Sequence, residues 1–376
     1  MVERIKQMMI KEFIQVFRDP RMRAVVFVVP VLQLVVFGYA VSTDVRHVST
    51  AIYDLDNSVT SRELISRFLK SGYFDGVKYI LDEGSAGEAL DRGKARVVLH
   101  IAKGFEQDLR AGRTALIQIL VDGTDSNTAG IVLGYSKSIT GQFSQEVLNS
   151  QLLRLMGKVQ QPGQVKLQTR AWFNENLESR NFFVPGVMAL LIMLVTLLLT
   201  SMAVVREKEI GTMEQIMVTP ITPAQFILGK TLPFALIGFA DVILITVIGV
   251  FWFEVPIRGS LGLLFGATAL YLMTALGAGI LISTLSQTQQ QAMMSTFFFF
   301  MPAVMLSGFM FPIANMPLVV QWLTYLNPLR YFMTIVRGIF LKGVGLGVLW
   351  PEMTALAALG ILTLWLASNK FRKTLA

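Results

Sequence analysis

A chain of 376 residues with 53% hydrophobic side chains, 15% charged ones and a mean hydropathy of +0.57 is too apolar for an ordinary soluble protein and too long for a single membrane span. The absence of cysteine excludes disulfide and thiolate chemistry, and His47 and His100, the only histidines, fall short of the three or four converging ligands a metal needs. A net charge of +8 would suggest nucleic acid as the partner of a soluble chain, so the placement of that charge decides its meaning.

Residues 1–23 carry six Lys or Arg, and the stretch IKQMMIKEFIQVF sets Ile5, Met9, Phe13 and Val16 on one side of a helix that would lie flat at the interface. The first apolar run, residues 24–41, is 18 residues long, more than the core of a signal peptide, and predicts a retained span. Residues 43–181 read as an inserted α/β domain. VSTAIYD, DGVKYIL, ARVVLHI and ALIQILVDG are strand-like, and SRELISRFLKS, AGEALDRG and GFEQDLRAG are helix-compatible. A long helix is expected over residues 131–156, and a loop over Lys158–Lys166. Asp54, Asp56, Asp122 and Asp125 follow strands, where acids serve as turn and cap residues or, less commonly, as cation ligands.

Five further apolar stretches, approximately residues 182–205, 231–253, 260–285, 292–311 and 349–368, approach the roughly 20 residues of a membrane helix, giving six in all. The fold expected is therefore an α-helical integral membrane protein of six transmembrane helices, five of them within residues 182–376, with an extracytoplasmic α/β insertion. An even number of spans puts both termini on one side. The leader, residues 206–230 and the tail together hold 12 basic against 6 acidic residues, whereas residues 43–181 hold 17 against 16. The positive-inside rule places the first three segments in the cytoplasm, so the charge marks orientation in a lipid bilayer, with no nucleic acid implied.

Between the second and third spans, REKEIGTMEQIMVTPIT places Ile210, Met213 and Met217 on one helical face and is ended by Pro220 and Pro223. Residues 206–222 are expected to form a short amphipathic helix under the bilayer. It would serve either as a coupling element pushed by a soluble partner or as an interfacial anchor. Gly229-Lys230-Thr231 imitates the end of a phosphate loop, but the required first glycine is Ala224 and no strand precedes it, so its backbone could not cradle phosphates. Asp241 is the only acid in the expected bilayer core, near the middle of its span, and either a cationic substrate or a hydrogen bond across a dimer interface would justify it. The Phe- and Met-rich run of residues 297–311 would suit an adaptable cavity, but plain helix packing or lipid contact is the favoured reading. Residues 312–342, broken by Pro312, Pro317 and Asn327-Pro328, are expected to form short outer re-entrant helices, with Arg330 and Arg337 snorkelling to water.

The run VVREKEIGTMEQIMVTPITPAQFILGK resembles the signature of type-2 ABC transporter permeases, and FRDPRMRAVVFVVPVLQLVVFGYA and LSGFMFPIANMPLVVQWLTYLNPLRYFMTIVRGIFLKG agree with it. The resemblance covers essentially the whole chain, including the large insertion of the bacterial multidrug-efflux-like branch. It implies a permease of the bacterial inner membrane that works as a homo- or heterodimer. A separate nucleotide-binding subunit would bind ATP and Mg and dock on a coupling helix holding Arg206, Glu207, Gly211, Thr212 and Glu214. The resemblance also implies outer gate helices at Asn327, Pro328 and Arg330, no cofactor in this chain, and an outer domain on which a periplasmic adaptor protein has room to dock. The substrate class implied is hydrophobic or amphipathic, drug-like or lipid-like. The competing reading is a membrane-anchored receptor or assembly scaffold that transports nothing.

Overall fold

The computed structural model describes residues 2–39, 45, 47–156, 172–174, 178–212 and 222–375. Two compact units result: residues 1–42 with 171–376, and residues 43–170. The expected loop Lys158–Lys166 lies outside the described residues. The expected boundary of the insertion at residue 181 moves back, because Ser179 to Asn181 form the first turn of a membrane-unit helix.

The first unit is helical. Its leader is α1 (Val2–Arg18), followed by α2 (Pro20–Arg23), a π-helical turn (Ala24–Val28) and α3 (Val29–Tyr39). Beyond the insertion come α8 (Ser179–Ile210), α9 (Pro223–Phe251), α10 (Leu261–Leu285), α11 (Gln289–Met305), α12 (Leu318–Thr324), α13 (Pro328–Arg337) and α14 (Leu346–Leu375). Among the described residues four helices, in α8, α9, α10 and α14, are long and apolar enough to cross a membrane, while the apolar helix Ala24–Tyr39 and the 17-residue α11 are shorter.

The expected spans 182–205 and 349–368 fall inside α8 and α14, which outrun them, whereas the expected spans 231–253 and 292–311 run past the ends of α9 at Phe251 and α11 at Met305. Hydropathy marks where lipid should end, whereas Glu, Lys and Arg are good helix formers and carry α8 five residues past Val205 to Ile210. The expected helix of residues 206–222 therefore does not start at Arg206, and residues 213–221 of it lie outside the described residues. Arg206 to Ile210 are the last turn of α8, and Gly211, at φ +78°, ends it with its N–H on the Lys208 carbonyl. Met213 and Met217, expected to share a face with Ile210, lie outside the described residues. In α9, Thr222 and Gln225 form a reciprocal cap and Pro223 fills the first position.

The core gathers around α8 and α10. A side chain at Gly277 would meet Thr363 and the backbone nitrogen of Leu364 in α14, and one at Gly279 would meet Thr200 in α8. Two residues at about 100° each turn these glycines to opposite faces, so α10 is clamped between α8 and α14. Tyr271 stacks on Phe332 of α13 at 4.1 Å and donates to the Ala189 carbonyl of α8, which gives its buried hydroxyl a partner.

The region after α11 is a set of short helices, as its prolines predict, and Asn327 ties it down. Ser307 N–H turns to the Val304 carbonyl, leaving that of Ala303 free, and Asn327 Nδ2 donates to it at 2.7 Å while Oδ1 caps Leu329. Arg330 donates to Thr324 and lies over the Tyr325 ring at 4.0 Å. Arg337 does not snorkel: its Nε and Nη2 are enclosed. Its helix packs it inward, against Phe182.

The second unit is the expected α/β fold. Strands β1 (Val48–Asp54), β2 (Phe74–Tyr79), β3 (Val97–Ile101) and β4 (Ile117–Val121) form one sheet in the order β2-β1-β3-β4. β1 runs parallel to both neighbours and β4 is antiparallel to β3. Between and after the strands lie α4 (Val59–Lys70), α5 (Glu83–Asp91), α6 (Phe105–Arg110) and α7 (Ser126–Met156). Phe68, Phe74, Leu99 and Phe143 pack on one face, and Tyr53, Val98 and Ala86 on the other.

The acids after strands have cap and turn roles. Asp54 accepts from Asn57 N–H and Ser61 Oγ, Asp122 from Thr124, and Asp125 from Thr128. Asp56 accepts from Gly104 and Glu106 at the start of α6. Slight burial pushes its carboxyl up, but hydrogen bonds from Ser58 and these amides outweigh that and hold it below the usual carboxylate range.

Candidate functional site

The last turn of α8 reads Arg206-Glu207-Lys208-Glu209, and its charged side chains reach different helices. Glu207 is 3% exposed. Its Oε1 accepts from Lys11 of α1 and from Lys230 of α9, both at 2.8 Å, and its Oε2 accepts from Thr212. Lys230 Nζ also donates to Glu12 of α1 at 2.5 Å and to the Ala203 carbonyl at 3.3 Å. Two lysines and two carboxylates thus neutralise one another, and Glu12, Glu207 and Lys230 are almost fully buried.

Lys208 turns the other way. Its ammonium caps the end of α10, donating to the carbonyls of Ser283, Thr284 and Ser286 at 3.2–3.5 Å, where a cation complements the helix dipole. Glu209 accepts from the side chain of Gln289 at 2.7 Å and, more weakly, from its N–H, holding the start of α11. Three consecutive residues therefore tie α8 to α1, α9, α10 and α11. Arg206 faces a crevice shared with Glu12, Gln15, Met22 and Phe234. A displacement of this turn has to move four other helices or break buried charge pairs, which cost several kcal/mol when one partner is lost.

Of the residues expected at a coupling element, Arg206, Glu207, Gly211 and Thr212 gather at this turn, and Glu214 lies outside the described residues. Lys11, Glu12 and Lys230 form its centre and were not expected there. A signal for Lys230 was present: it shares the buried stripe of Phe226, Phe234, Ile237, Asp241 and Ile245, spaced by three and four residues. A cation on such a stripe demands a buried anion. Lys230 also sits inside α9 with its ammonium committed to carboxylates, which removes the phosphate-loop imitation.

Asp241 occupies the same stripe, 1% exposed, with its Oδ2 unpartnered. Thr196 and Thr200 of α8, both buried, likewise have hydroxyls without partners. Asn327, Pro328 and Arg330 lie away from the turn, in the cap and ring contacts described above. Among the described residues no cluster of three or more His, Cys, Asp or Glu could hold a metal ion.

Comparison with known proteins agrees with this architecture. Residues 20–368 match the family described as ABC-2 family transporter protein. The chain is 33% identical to the probable multidrug ABC transporter permease YbhR of Escherichia coli over 373 residues, 99% of each chain. It is 35% identical to the probable multidrug ABC transporter permease YbhS of the same organism, over 90% of this chain and 89% of that one, and 30% identical to the inner membrane transport permease YhhJ, over 92% of each. The chain with the charged turn gripping four helices belongs to the ABC-2 family of transporter permeases.

Proposed function

We propose that this chain is the membrane subunit of an ATP-driven exporter of the bacterial inner membrane, moving hydrophobic or amphipathic, drug-like or lipid-like molecules out of the cytoplasm or inner leaflet. A separate nucleotide-binding subunit hydrolyses Mg-ATP and pushes on the end of α8 and the residues after it, and two permeases work as a dimer. Residues 43–170 lie outside the cytoplasm, both termini lie within it, and a periplasmic adaptor docks on the outer domain.

The observation that carries this reading is the buried Glu12–Lys230–Glu207–Lys11 cluster with its neighbours Lys208 and Glu209. A load applied at one turn reaches α1, α9, α10 and α11 together, which is what an engine outside the membrane requires. Asp241 is enclosed by its own chain, which favours a bound cation reached when α8 and α9 part over a contact between protomers, which would need an exposed carboxylate. Asn327, Pro328 and Arg330 keep the short outer helices packed as a cap on the path.

Affinity purification of the tagged chain from its native membrane is expected to bring down an ATPase subunit, and Glu207→Gln with Glu214→Gln is expected to lose it. A receptor or scaffold would instead purify without an ATPase, and its deletion would leave sensitivity to hydrophobic drugs unaltered.

A further inference from the structure

At the end of α13, the Arg337 guanidinium lies 3.8 Å from the ring centroid of Phe182, in the first turns of α8. Its Nε and Nη2 are enclosed and make no hydrogen bond. These two nitrogens form the side edge of the guanidinium, whose parallel N–H groups match two oxygens of a phosphate or carboxylate. Leaving both unpaired away from water costs about 1–3 kcal/mol per group or more.

Two further cations, Arg258 and Lys342, lie on or beside the backbone that follows Arg337. Arg258 N–H donates to the Phe340 carbonyl at 3.1 Å and Gly259 N–H to that of Ile339 at 2.9 Å, which fixes Arg258 beside the chain that follows Arg337. Lys342 follows on the same segment, its ammonium 5.9 Å from the Phe173 ring. Among the described residues none of Arg258, Arg337 and Lys342 is ion-paired, and Glu178 and Glu254 are both engaged by Arg180.

Position decides what anion this edge meets. From Phe182 to Glu207, α8 rises by about 37 Å at roughly 1.5 Å per residue, so Arg337 and the charged turn lie a bilayer's thickness apart. That depth is the headgroup level of the opposite leaflet. Phe182, 39% exposed, offers an apolar surface to an acyl chain beside the cation.

We propose that Arg337 is an anionic-phospholipid site: its Nε–Nη2 edge takes the phosphate, and Arg258 and Lys342 add charge around it. The edge is closed in the protein alone. The lipid therefore enters by displacing the side chains that enclose the edge.

The test uses the full-length chain in detergent, with lipid retention read by native mass spectrometry and stability by thermal unfolding. Phosphatidylglycerol is expected to be retained in preference to phosphatidylcholine and to raise the unfolding temperature of the parent protein, whereas inorganic phosphate does neither. Arg337→Lys keeps the charge and loses the paired edge, so its preference should fall roughly tenfold, the worth of one charge-assisted hydrogen bond. Equal retention by Arg337→Lys and the parent would overturn the proposal, as would an equal effect of inorganic phosphate, which would mean a free anion. If variants at Arg337 fail to fold, the parent alone decides: identical unfolding in the two lipids also sinks the site.

Discussion

Replacing Lys230 by Met is expected to destabilise the solubilised protein by about 3–5 kcal/mol, the cost of leaving buried charge uncompensated. Among the described residues Lys230 is the ion-pair partner of Glu12, at 2.5 Å. Glu207 would keep Lys11, whose side chain is 49% exposed and screened by water, so that pair offsets little. The damage comes from the stranded carboxylate, so removing that charge as well should reverse it. Lys230→Met with Glu12→Gln leaves Glu207 paired with Lys11 and should recover more than half of the loss. A double-mutant cycle on unfolding midpoints measures this directly. Additive losses would mean that the two side chains do not interact.

The second large effect is expected at Gly277. A methyl-sized branch there meets the backbone nitrogen of Leu364 at 2.9 Å and Thr363 Oγ1 at 2.6 Å. Backbone cannot rotate away, so α10 and α14 must separate along the face that clamps α10. Overpacking of this kind costs about 1–3 kcal/mol, and Gly277→Val, with two γ-methyl groups, should reach the top of that range or exceed it. Gly266 provides the control, since it lies in the same helix and a side chain there meets nothing within 4 Å. Gly266→Ala should stabilise by up to about 1 kcal/mol through helix propensity. Equal unfolding midpoints for Gly277→Val and the parent would refute the close approach of the two helices.

Much of this molecule is written in local pattern. Strand β1 falls on VSTAIYD, and the prolines of residues 312–342 do break that region into short helices, because alternation and proline sterics act over a few residues. The end of α8 was harder to see. Charge in Arg206 to Glu209 looks like the start of something new, but backbone hydrogen bonding is indifferent to lipid and continues until Gly211 supplies a left-handed residue. The centre of the candidate site was hidden for a different reason. Glu12 and Lys230 are 218 residues apart, and only the fold brings them together. Lys230 among Phe226, Phe234 and Ile237 did announce a buried charge, though not its partner. Arg337 is the reverse case, since an arginine at a helix end usually reaches water and this one is turned under an aromatic ring by the packing of α13 on α8.

The claim at the centre is that buried charge at the end of α8 carries the stroke of the ATPase subunit into the helices. The most direct measurement is transport per ATP hydrolysed in the reconstituted complex of the Glu12→Gln, Lys230→Met protein, which lacks the charge pair between α1 and α9 and is expected to recover most of the stability that Lys230→Met alone loses. The expected result is an ATPase subunit still bound and hydrolysing, with transport of a hydrophobic cation lowered about tenfold, the scale of a coupling energy of roughly 1–3 kcal/mol. Transport per ATP equal to that of the parent would contradict the account.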